Sequence, residues 1–250
     1  MITIPKIIHY CWFGGNPLPK DAVECINTWK KILPEYQIME WNESNFSIND
    51  APVYVQEAYK EKKFAFVSDY ARILALYEYG GIYFDTDLEV LKRFDDCLES
   101  NSLVLAFEYK ELLMTAFIAC EKKHPFIKAF IDTYEGRHFI QQDGSYDTLP
   151  NTDVWSPLAA SWGVDLKKNA VQSVEGRIKV YPIDYFTAYD IENCHEKITK
   201  NSRTVHHMAN SWASGKIKFR NKVKHTIQRV ISVEKYDKLR LAVKKYREDK

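Results

Sequence analysis

The chain has 250 residues, of which 46% are hydrophobic and 28% are charged, a composition typical of a globular protein with a full core. No run of 18 or more apolar residues occurs and the first residues lack a secretion-signal pattern, so we expect neither a membrane span nor an exported precursor. The formal net charge is +1, and the five cysteines lack the paired spacing of a zinc site or a disulfide frame. Scattered cysteines favour a reducing compartment, so we expect a cytoplasmic protein.

The first predicted elements form a strand–helix–strand unit. Residues 6–13 (KIIHYCWF) are apolar and predict a buried strand, which the following Gly-Gly-Asn-Pro ends. Residues 21–32 have helical spacing, which places four apolar side chains on one side: Val23, Ile26, Trp29 and Ile32. Residues 37–41 predict a second strand, and together these elements are typical of a nucleotide-binding α/β unit.

The next elements lead to an acidic motif. Helices are predicted over residues 51–63 and 66–79, the second with Ser68 as its N-cap and Gly80-Gly81 as its end. A short apolar strand, residues 82–84, then runs directly into Asp85-Thr86-Asp87. Further along the chain the pattern predicts a helix over residues 125–134. It also predicts four strands, over residues 103–107, 115–119, 178–181 and 204–207.

The last 35 residues differ from the rest in charge. Residues 216–250 carry 13 Lys and Arg against 4 Asp and Glu, a net charge of +9, whereas residues 1–215 carry a net charge of −8. Their apolar spacing predicts two basic amphipathic helices with a break near Ser232. We therefore divide the chain into a catalytic α/β domain, residues 1–215, and a basic helical tail, residues 216–250, for which an anionic partner is expected.

Asp85 and Asp87 form the first candidate site. In an extended segment residues i and i+2 point to the same side, so the two carboxylates lie close together and repel each other unless a cation lies between them. Mg²⁺ and Mn²⁺ prefer oxygen ligands and can bridge to phosphates. A solvated acidic turn is the alternative interpretation of an isolated Asp-x-Asp.

Asp69 and Arg72 form the second candidate pair, because residues three apart share a helix face. One interpretation is a surface ion pair, which contributes little to stability. The other places Asp69 on sugar hydroxyls and Arg72 near a donor phosphate, which a guanidinium fits well. The helix leads through Gly80-Gly81 to the acidic motif, so both pairs would lie near one cleft.

Four segments resemble known family motifs. Residues 68–72 (SDYAR) and 76–87 (LYEYGGIYFDTD) resemble the signature block of glycosyltransferase family 32. Residues 4–14 (IPKIIHYCWFG) are similar to its first strand, and residues 206–212 (HHMANSW) to its closing motif. The resemblance covers residues 4–215. The family includes bacterial capsule and lipopolysaccharide transferases and yeast initiating mannosyltransferases, and it is related to the glucosylating domains of clostridial toxins.

The resemblance implies a GT-A type fold, a Rossmann-like α/β architecture that binds nucleotide-diphospho-sugars, together with a divalent metal and a retaining outcome. In this chain Trp12 would lie beside the base, Asp69 and Arg72 would hold the donor sugar, and Asp85 would contact the ribose and the sugar. Asp69, Arg72 and Asp85, together with Trp212, are thus the expected catalytic set. The alternative for Trp12 is a core side chain.

The same resemblance implies the metal ligands. Asp87 would bind Mn²⁺ or Mg²⁺ directly, His207 and Asn210 would complete the ligand set beside the donor, and the Trp212 indole N–H would reach the leaving phosphate oxygen. Adjacent histidines in a strand face opposite sides, so only one of His206 and His207 can enter the cleft. A packed imidazole is the alternative for His207, and a core side chain for Trp212.

We therefore expect a metal-dependent retaining hexosyltransferase with a nucleotide-sugar donor, a UDP-hexose being favoured. Its acceptor would be a glycan or lipid-linked saccharide of capsular polysaccharide or lipopolysaccharide synthesis. Asp153 would lie on the acceptor side of the site. The alternative for residues 151–153 is a loop with an Asx turn. The basic tail could bind the anionic inner face of the plasma membrane, cover a dimer interface or pack on its own domain. No nucleic-acid partner is expected.

Two other classes of protein stay open. One is a sugar-nucleotide-binding protein with little turnover. The other is an Asp-x-Asp phosphohydrolase, which the residue two positions after the second aspartate disfavours, because Glu89 stands where such enzymes have Thr or Val.

Overall fold

The computed structural model describes residues 4–192 and 195–208. The strands within these ranges are β1 (Ile7–Cys11), β2 (Gln37–Trp41), β3 (Gly81–Phe84), β4 (Leu88–Val90), β5 (Leu103–Tyr109), β6 (Leu112–Leu113), β7 (Phe117–Cys120), β8 (Gln172–Val174), β9 (Ile178–Tyr181), β10 (Tyr189–Asp190), β11 (His195–Glu196) and β12 (Thr204–His206). The helices are α1 (Lys20–Ile32), α2 (Val53–Lys60), α3 (Phe64–Tyr79), α4 (Asp95–Leu98), α5 (Pro125–Asp132), α6 (Asn151–Ser161) and α7 (Ile183–Phe186).

Eight of the described strands form one mixed sheet. Their order is β2-β1-β3-β7-β5-β9-β8, with β6 added to β5. Strand β1 is parallel to β2 and β3, and β5 is parallel to β9, whereas β7 runs antiparallel to both β3 and β5. The carboxyl ends of β1, β3 and β5 therefore meet at one edge of the sheet, which is where ligands bind in open α/β folds.

Helices cover both faces of the sheet. Alternate side chains of the buried strands enter two separate cores, as in β3, where Tyr83 belongs to one core and Ile82 and Phe84 belong to the other. Helices α2, α3, α5 and α6 pack over the Tyr83 face, and α1, α4 and α7 pack over the opposite face. A strand that is buried on both faces has a continuous run of apolar residues in the sequence. Such runs are the signal that predicted these strands.

Two details of the helices differ from the prediction. On α1 the buried side chains are Ala22, Cys25, Ile26 and Trp29, whereas Val23 is exposed, because the inward-facing row is shifted by one residue. Ser68 is not an N-cap, since α3 begins four residues earlier at Phe64 and its first turn has no side-chain cap. The predicted end of α3 at Gly80 is confirmed, with φ +68° at that glycine.

A separate two-stranded ribbon, β4 with β12, brings distant parts of the chain together. The strands are antiparallel, with Leu88 opposite His206 and Val90 opposite Thr204. Because β4 follows directly after β3, the ribbon places β12 beside the carboxyl end of β3.

None of the described helices combines the length and apolarity that a membrane crossing requires. The predicted tail, residues 216–250, lies outside the described residues.

Candidate active site

The carboxyl end of β3 carries the acidic motif. The Asp85 amide donates to the Ala116 carbonyl across the sheet at 2.9 Å, and the Leu88 amide donates to the Asp85 carbonyl at 3.0 Å, which turns the chain sharply. One ligand atom each from Asp85, Asp87 and His206 lies within 4.8 Å of the other two. This Asp85–Asp87–His206 group, which we call the acidic cluster, lies at the edge where the sequence predicted a metal.

Strand β12 supplies the histidine of the cluster. His206 Nε2 lies 3.3 Å from Asp87 Oδ1, and its side chain is buried. The side chain of His207 takes the opposite direction, as strand geometry requires. Its Nε2 lies 2.9 Å from Glu89 Oε2 and its Nδ1 lies 3.6 Å from Glu196 Oε1. The structure thus brings Asp87 and His206 together, and it does not bring His207 to them.

The ligand role of His207 stays a prediction. So do the roles of Asn210 and Trp212, which lie outside the described residues. His206 was one of the two histidines that the sequence offered, and choosing between them requires the register of β12 against β4. Nothing local in a three-residue strand gives that register.

His206 lies between two carboxylates. Its second nitrogen, Nδ1, is buried without a fully formed hydrogen bond and lies 3.3 Å from Glu108 Oε1, near the carboxyl end of β5. Burial opposes a charged imidazole, but Asp87 and Glu108 together raise the pKa of His206 well above its usual value. The direction of this shift favours the charged imidazole, whose positive charge partly offsets the two carboxylates.

Arg72 joins the two predicted pairs. Its Nη2 lies 2.8 Å from Asp69 Oδ1 and 3.4 Å from Asp85 Oδ1, while Nη1 donates to the Thr115 carbonyl at 3.0 Å and Nε donates to the Ser68 carbonyl at 3.3 Å. The side chain is only 7% exposed, so the alternative of a solvated surface ion pair is wrong. A guanidinium fixed at all three nitrogens holds both carboxylates in position.

Tyr83 is a further side chain at this site. Its hydroxyl donates to Asp85 Oδ1 at 2.8 Å, and the Arg72 guanidinium lies over its ring, 4.7 Å from the centroid. Two donors therefore converge on one oxygen of Asp85. The sequence contains a signal for this contact, because Tyr83 and Asp85 are two apart in an extended segment and share one side.

Burial raises the pKa of the Asp69 carboxyl to about 6, and the nearby Asp85 carboxylate adds to this, although Arg72 acts in the opposite direction. Such perturbation of a carboxyl group is typical of functional sites. Arg72 therefore favours the charged form of Asp69.

The remaining predicted residues lie around this centre. Trp12, which is half-buried, follows β1 at the same edge, and its indole N–H donates to the Asn16 carbonyl at 2.6 Å. Residues 151–153 begin helix α6, so the alternative of a loop is wrong. Asn151 is buried and donates to the Asp69 carbonyl at 3.3 Å, whereas Asp153 is exposed on the first turn.

Two cavities of about 370 and 440 Å³ lie elsewhere, and both are lined by Gly136, Arg137 and His138. Neither is lined by a member of the acidic cluster. We therefore locate the candidate active site by its chemistry and its place at the sheet edge, rather than by cavity size.

The acidic cluster has the donor set of a divalent metal site. Two carboxylates and an imidazole suit Mn²⁺ and also serve Mg²⁺, and carboxylates this close repel each other without a positive charge between them. A mixed α/β sheet with this cluster at its carboxyl edge is the architecture of a GT-A type fold.

A family model matches part of the chain. The model described as "Glycosyltransferase sugar-binding region containing DXD motif" matches residues 19–104, a range that contains Asp69, Arg72, Asp85 and Asp87. This match confirms the resemblance to glycosyltransferase family 32 over these residues.

Curated relatives match the chain over part of its length. Inositol phosphoceramide mannosyltransferase 1 of Schizosaccharomyces pombe is 28% identical over 137 residues, 51% of this chain and 41% of the relative. Lactosylceramide 4-alpha-galactosyltransferase of Homo sapiens is 38% identical over 74 residues, 28% of this chain and 20% of the relative. The chain thus spans less than half the length of these relatives.

A solved structure supports the fold. The PaToxG glycosyltransferase superposes with a TM-score of 0.51 at 22% identity, over 63% of this chain and 69% of that chain. The predicted α/β fold of GT-A type is confirmed.

Proposed function

We propose that this chain is a metal-dependent glycosyltransferase that transfers a hexose from a nucleotide-sugar to an acceptor hydroxyl. The observation that carries the proposal is the acidic cluster at the carboxyl edge of the sheet, with Arg72 buried behind it. The family match over residues 19–104 supports a transferase over a phosphohydrolase.

The residues of the cluster fit a divalent cation. Asp87 and His206 would hold it, and Asp85 would border it. The predicted roles of His207 and Asn210 in completing the ligand set with Asp87 stay predictions. When bound, Mn²⁺ or Mg²⁺ supplies positive charge to a leaving nucleoside diphosphate. Stabilising charge that develops on the leaving group is the largest catalytic contribution that we expect.

The chain's own side chains would orient the donor. Arg72 and Tyr83 fix Asp85 through one carboxylate oxygen, which leaves the second oxygen to accept from a ribose or sugar hydroxyl. Asp69, held by Arg72, would accept from a further sugar hydroxyl, Trp12 would lie beside the base, and Trp212 would donate to the leaving phosphate. The acceptor hydroxyl oxygen would then bond to the anomeric carbon while the bond from that carbon to the diphosphate oxygen breaks. The hydroxyl proton would pass to the departing phosphate oxygen, with retention of configuration and without an assigned covalent nucleophile.

Two further features of the reaction are part of the proposal. The relatives' names specify transfer of mannose and galactose to ceramide-based glycolipids. A hexose donor and a glycolipid or glycan acceptor are therefore the first classes to test, with UDP-hexoses before GDP-mannose.

Three further proposals come from the sequence alone. They are a role in capsule or lipopolysaccharide synthesis, a cytoplasmic location, and binding of the 216–250 tail to anionic membranes. Flotation of the full chain with neutral and with anionic vesicles tests the membrane-binding proposal. Equal recovery with both kinds of vesicle would contradict it.

The test of the proposed function is donor hydrolysis without an acceptor. Purified chain is incubated with Mn²⁺ and a panel of UDP-hexoses and GDP-mannose, and nucleoside diphosphate release is measured. We expect slow release from one donor, which removal of the metal with EDTA abolishes. The substitution Asp87→Ala should lower the rate at least about 100-fold, because metal-derived charge stabilisation is worth several kcal/mol.

The matched control is Asp143→Ala, which removes an exposed aspartate from a loop outside the cluster and should leave the rate unchanged. Full activity of the Asp87→Ala protein would refute the metal assignment. Release of phosphate from p-nitrophenyl phosphate would favour the phosphohydrolase, whereas tight donor binding without turnover would favour the binding protein.

A further inference from the structure

Glu108 is placed to act on the acidic cluster without belonging to it. It lies near the carboxyl end of β5, two strands away from β3 in the sheet, and it is largely buried, with 18% of its side chain exposed. Its Oε1 lies 3.3 Å from His206 Nδ1, within ion-pair distance but without the geometry of a hydrogen bond, and none of the described groups forms a hydrogen bond with that nitrogen. The opposite nitrogen of the same ring, Nε2, faces Asp87.

A metal-binding imidazole must present a lone pair to the cation, so its proton must be on the other nitrogen. A carboxylate beside that other nitrogen holds the proton there, fixes the ring orientation and makes the ligand more basic. Glu108 has this position relative to His206. We propose that Glu108 is a positioning residue that holds His206 with Nε2 directed at the cation, an inference that rests on the proposed metal-dependent function.

The chain supplies a matched comparison. His207, the neighbour of His206, has a carboxylate of its own, because Glu89 Oε2 lies 2.9 Å from His207 Nε2. Removing either glutamate takes one negative charge from the surroundings of the cluster. Only the loss of Glu108 should also release the imidazole that faces Asp87.

The experiment measures Mn²⁺ binding directly, from the electron paramagnetic resonance signal of free Mn²⁺, with the metal alone and no donor. We expect Glu108→Ala to weaken Mn²⁺ binding about 10- to 100-fold. Glu108→Gln, which keeps an acceptor oxygen, should recover most of that loss. Glu89→Ala should stay within about threefold of the wild type, because a partly exposed charge is screened by solvent.

A double-mutant cycle separates positioning from general charge. If Glu108 acts through the imidazole, Glu108→Ala should have less than about a twofold effect in a His206→Ala background. Circular dichroism and thermal unfolding of the metal-free proteins establish that each variant is folded. If Glu108→Ala is not folded, Glu108→Leu, which keeps the side-chain volume but has no acceptor oxygen, replaces it with the same expected loss.

The inference is overturned if Glu108→Ala binds Mn²⁺ as the wild type does, or if its loss persists without the His206 imidazole. It is also overturned if Glu89→Ala loses as much affinity as Glu108→Ala, which would instead favour His207 as the ligand. Absence of Mn²⁺ binding by the wild-type protein would refute the proposed metal dependence itself, a different result from any of these.

Discussion

The two ends of strand β3 differ in the charge of the side chains around them. At the amino end, the buried His9 ring donates from Nε2 to the Gly80 carbonyl at 2.8 Å and accepts the Trp41 indole N–H at Nδ1, so neutral groups are fully paired. At the carboxyl end, Asp69, Asp85 and Asp87 share a small space with Arg72 and His206. At the amino end, buried neutral groups hold the backbone in place through hydrogen bonds. At the carboxyl end, several carboxylates lie close together, and a bound cation would reduce their mutual repulsion.

The largest expected effect concerns the charged end. Arg72→Met should destabilise the protein by about 3 kcal/mol, because it removes a buried cation from two partly buried carboxylates. The measurement is urea unfolding at neutral pH. As a control, Arg93→Ala breaks an ion pair with Glu35 and Asp95 at the surface and should change the midpoint much less. Similar losses in both variants would mean that the charged end is no different from the surface.

A smaller effect is expected at the amino end. Gly81 has φ +103°, and an added Cβ would lie 2.5 Å from the Ile7 carbonyl oxygen. Gly81→Ala should therefore cost at least about 2 kcal/mol in unfolding free energy. Gly136→Ala, at φ +67° with open space around it, should cost only about 1 kcal/mol. Equal unfolding midpoints would show that close approach to Ile7 is not what requires glycine.

The smallest of these effects depends on pH. Burial lowers the pKa of His9 to about 4, although the hydrogen bond to Gly80 acts in the opposite direction. The unfolded chain takes up a proton near pH 6.5 while the folded chain does not, so this stability is present above pH 6.5 and is lost as pH falls towards 4. Between pH 7 and pH 5 the loss is about 2 kcal/mol.

The measurement is the unfolding free energy at both pH values for wild-type protein and for His9→Gln, which cannot take up a proton. The difference between their pH dependences isolates His9 from the other titrating groups. An unchanged pH dependence in the His9→Gln protein would show that the neutral pairing of His9 is not what the amino end depends on.

The sequence predicted much of this arrangement. The apolar runs before Gly14 and Asp85 identified β1 and β3, and Gly80-Gly81 correctly marked the end of α3, because these signals are local. The i, i+2 spacing of Asp85 and Asp87 pointed to a shared cluster for the same reason. The partners of that cluster were harder to predict, since His206 and Glu108 reach it through strand register and sheet order, which depend on contacts between distant segments.

Local propensity also failed at α3. Ser68 resembled an N-cap, but packing extends the helix to Phe64, and the Ser68 carbonyl instead accepts from Arg72. Residues 151–153 suggested a turn, whereas Asn151 is buried at the start of α6 with partners on α3 and at Tyr134. In both places tertiary contacts decide the conformation of residues that by themselves favour caps and turns.

The β4–β12 ribbon has a consequence for the order of assembly. Strand β12 lies more than a hundred residues beyond β4 in the chain, yet their pairing is what delivers His206 to Asp87. During synthesis the acidic motif therefore leaves the ribosome long before the imidazole that completes its surroundings. Because pairing across so long a separation forms late in folding, we expect Asp85 and Asp87 to gain the His206 imidazole only after the sheet behind them is in place.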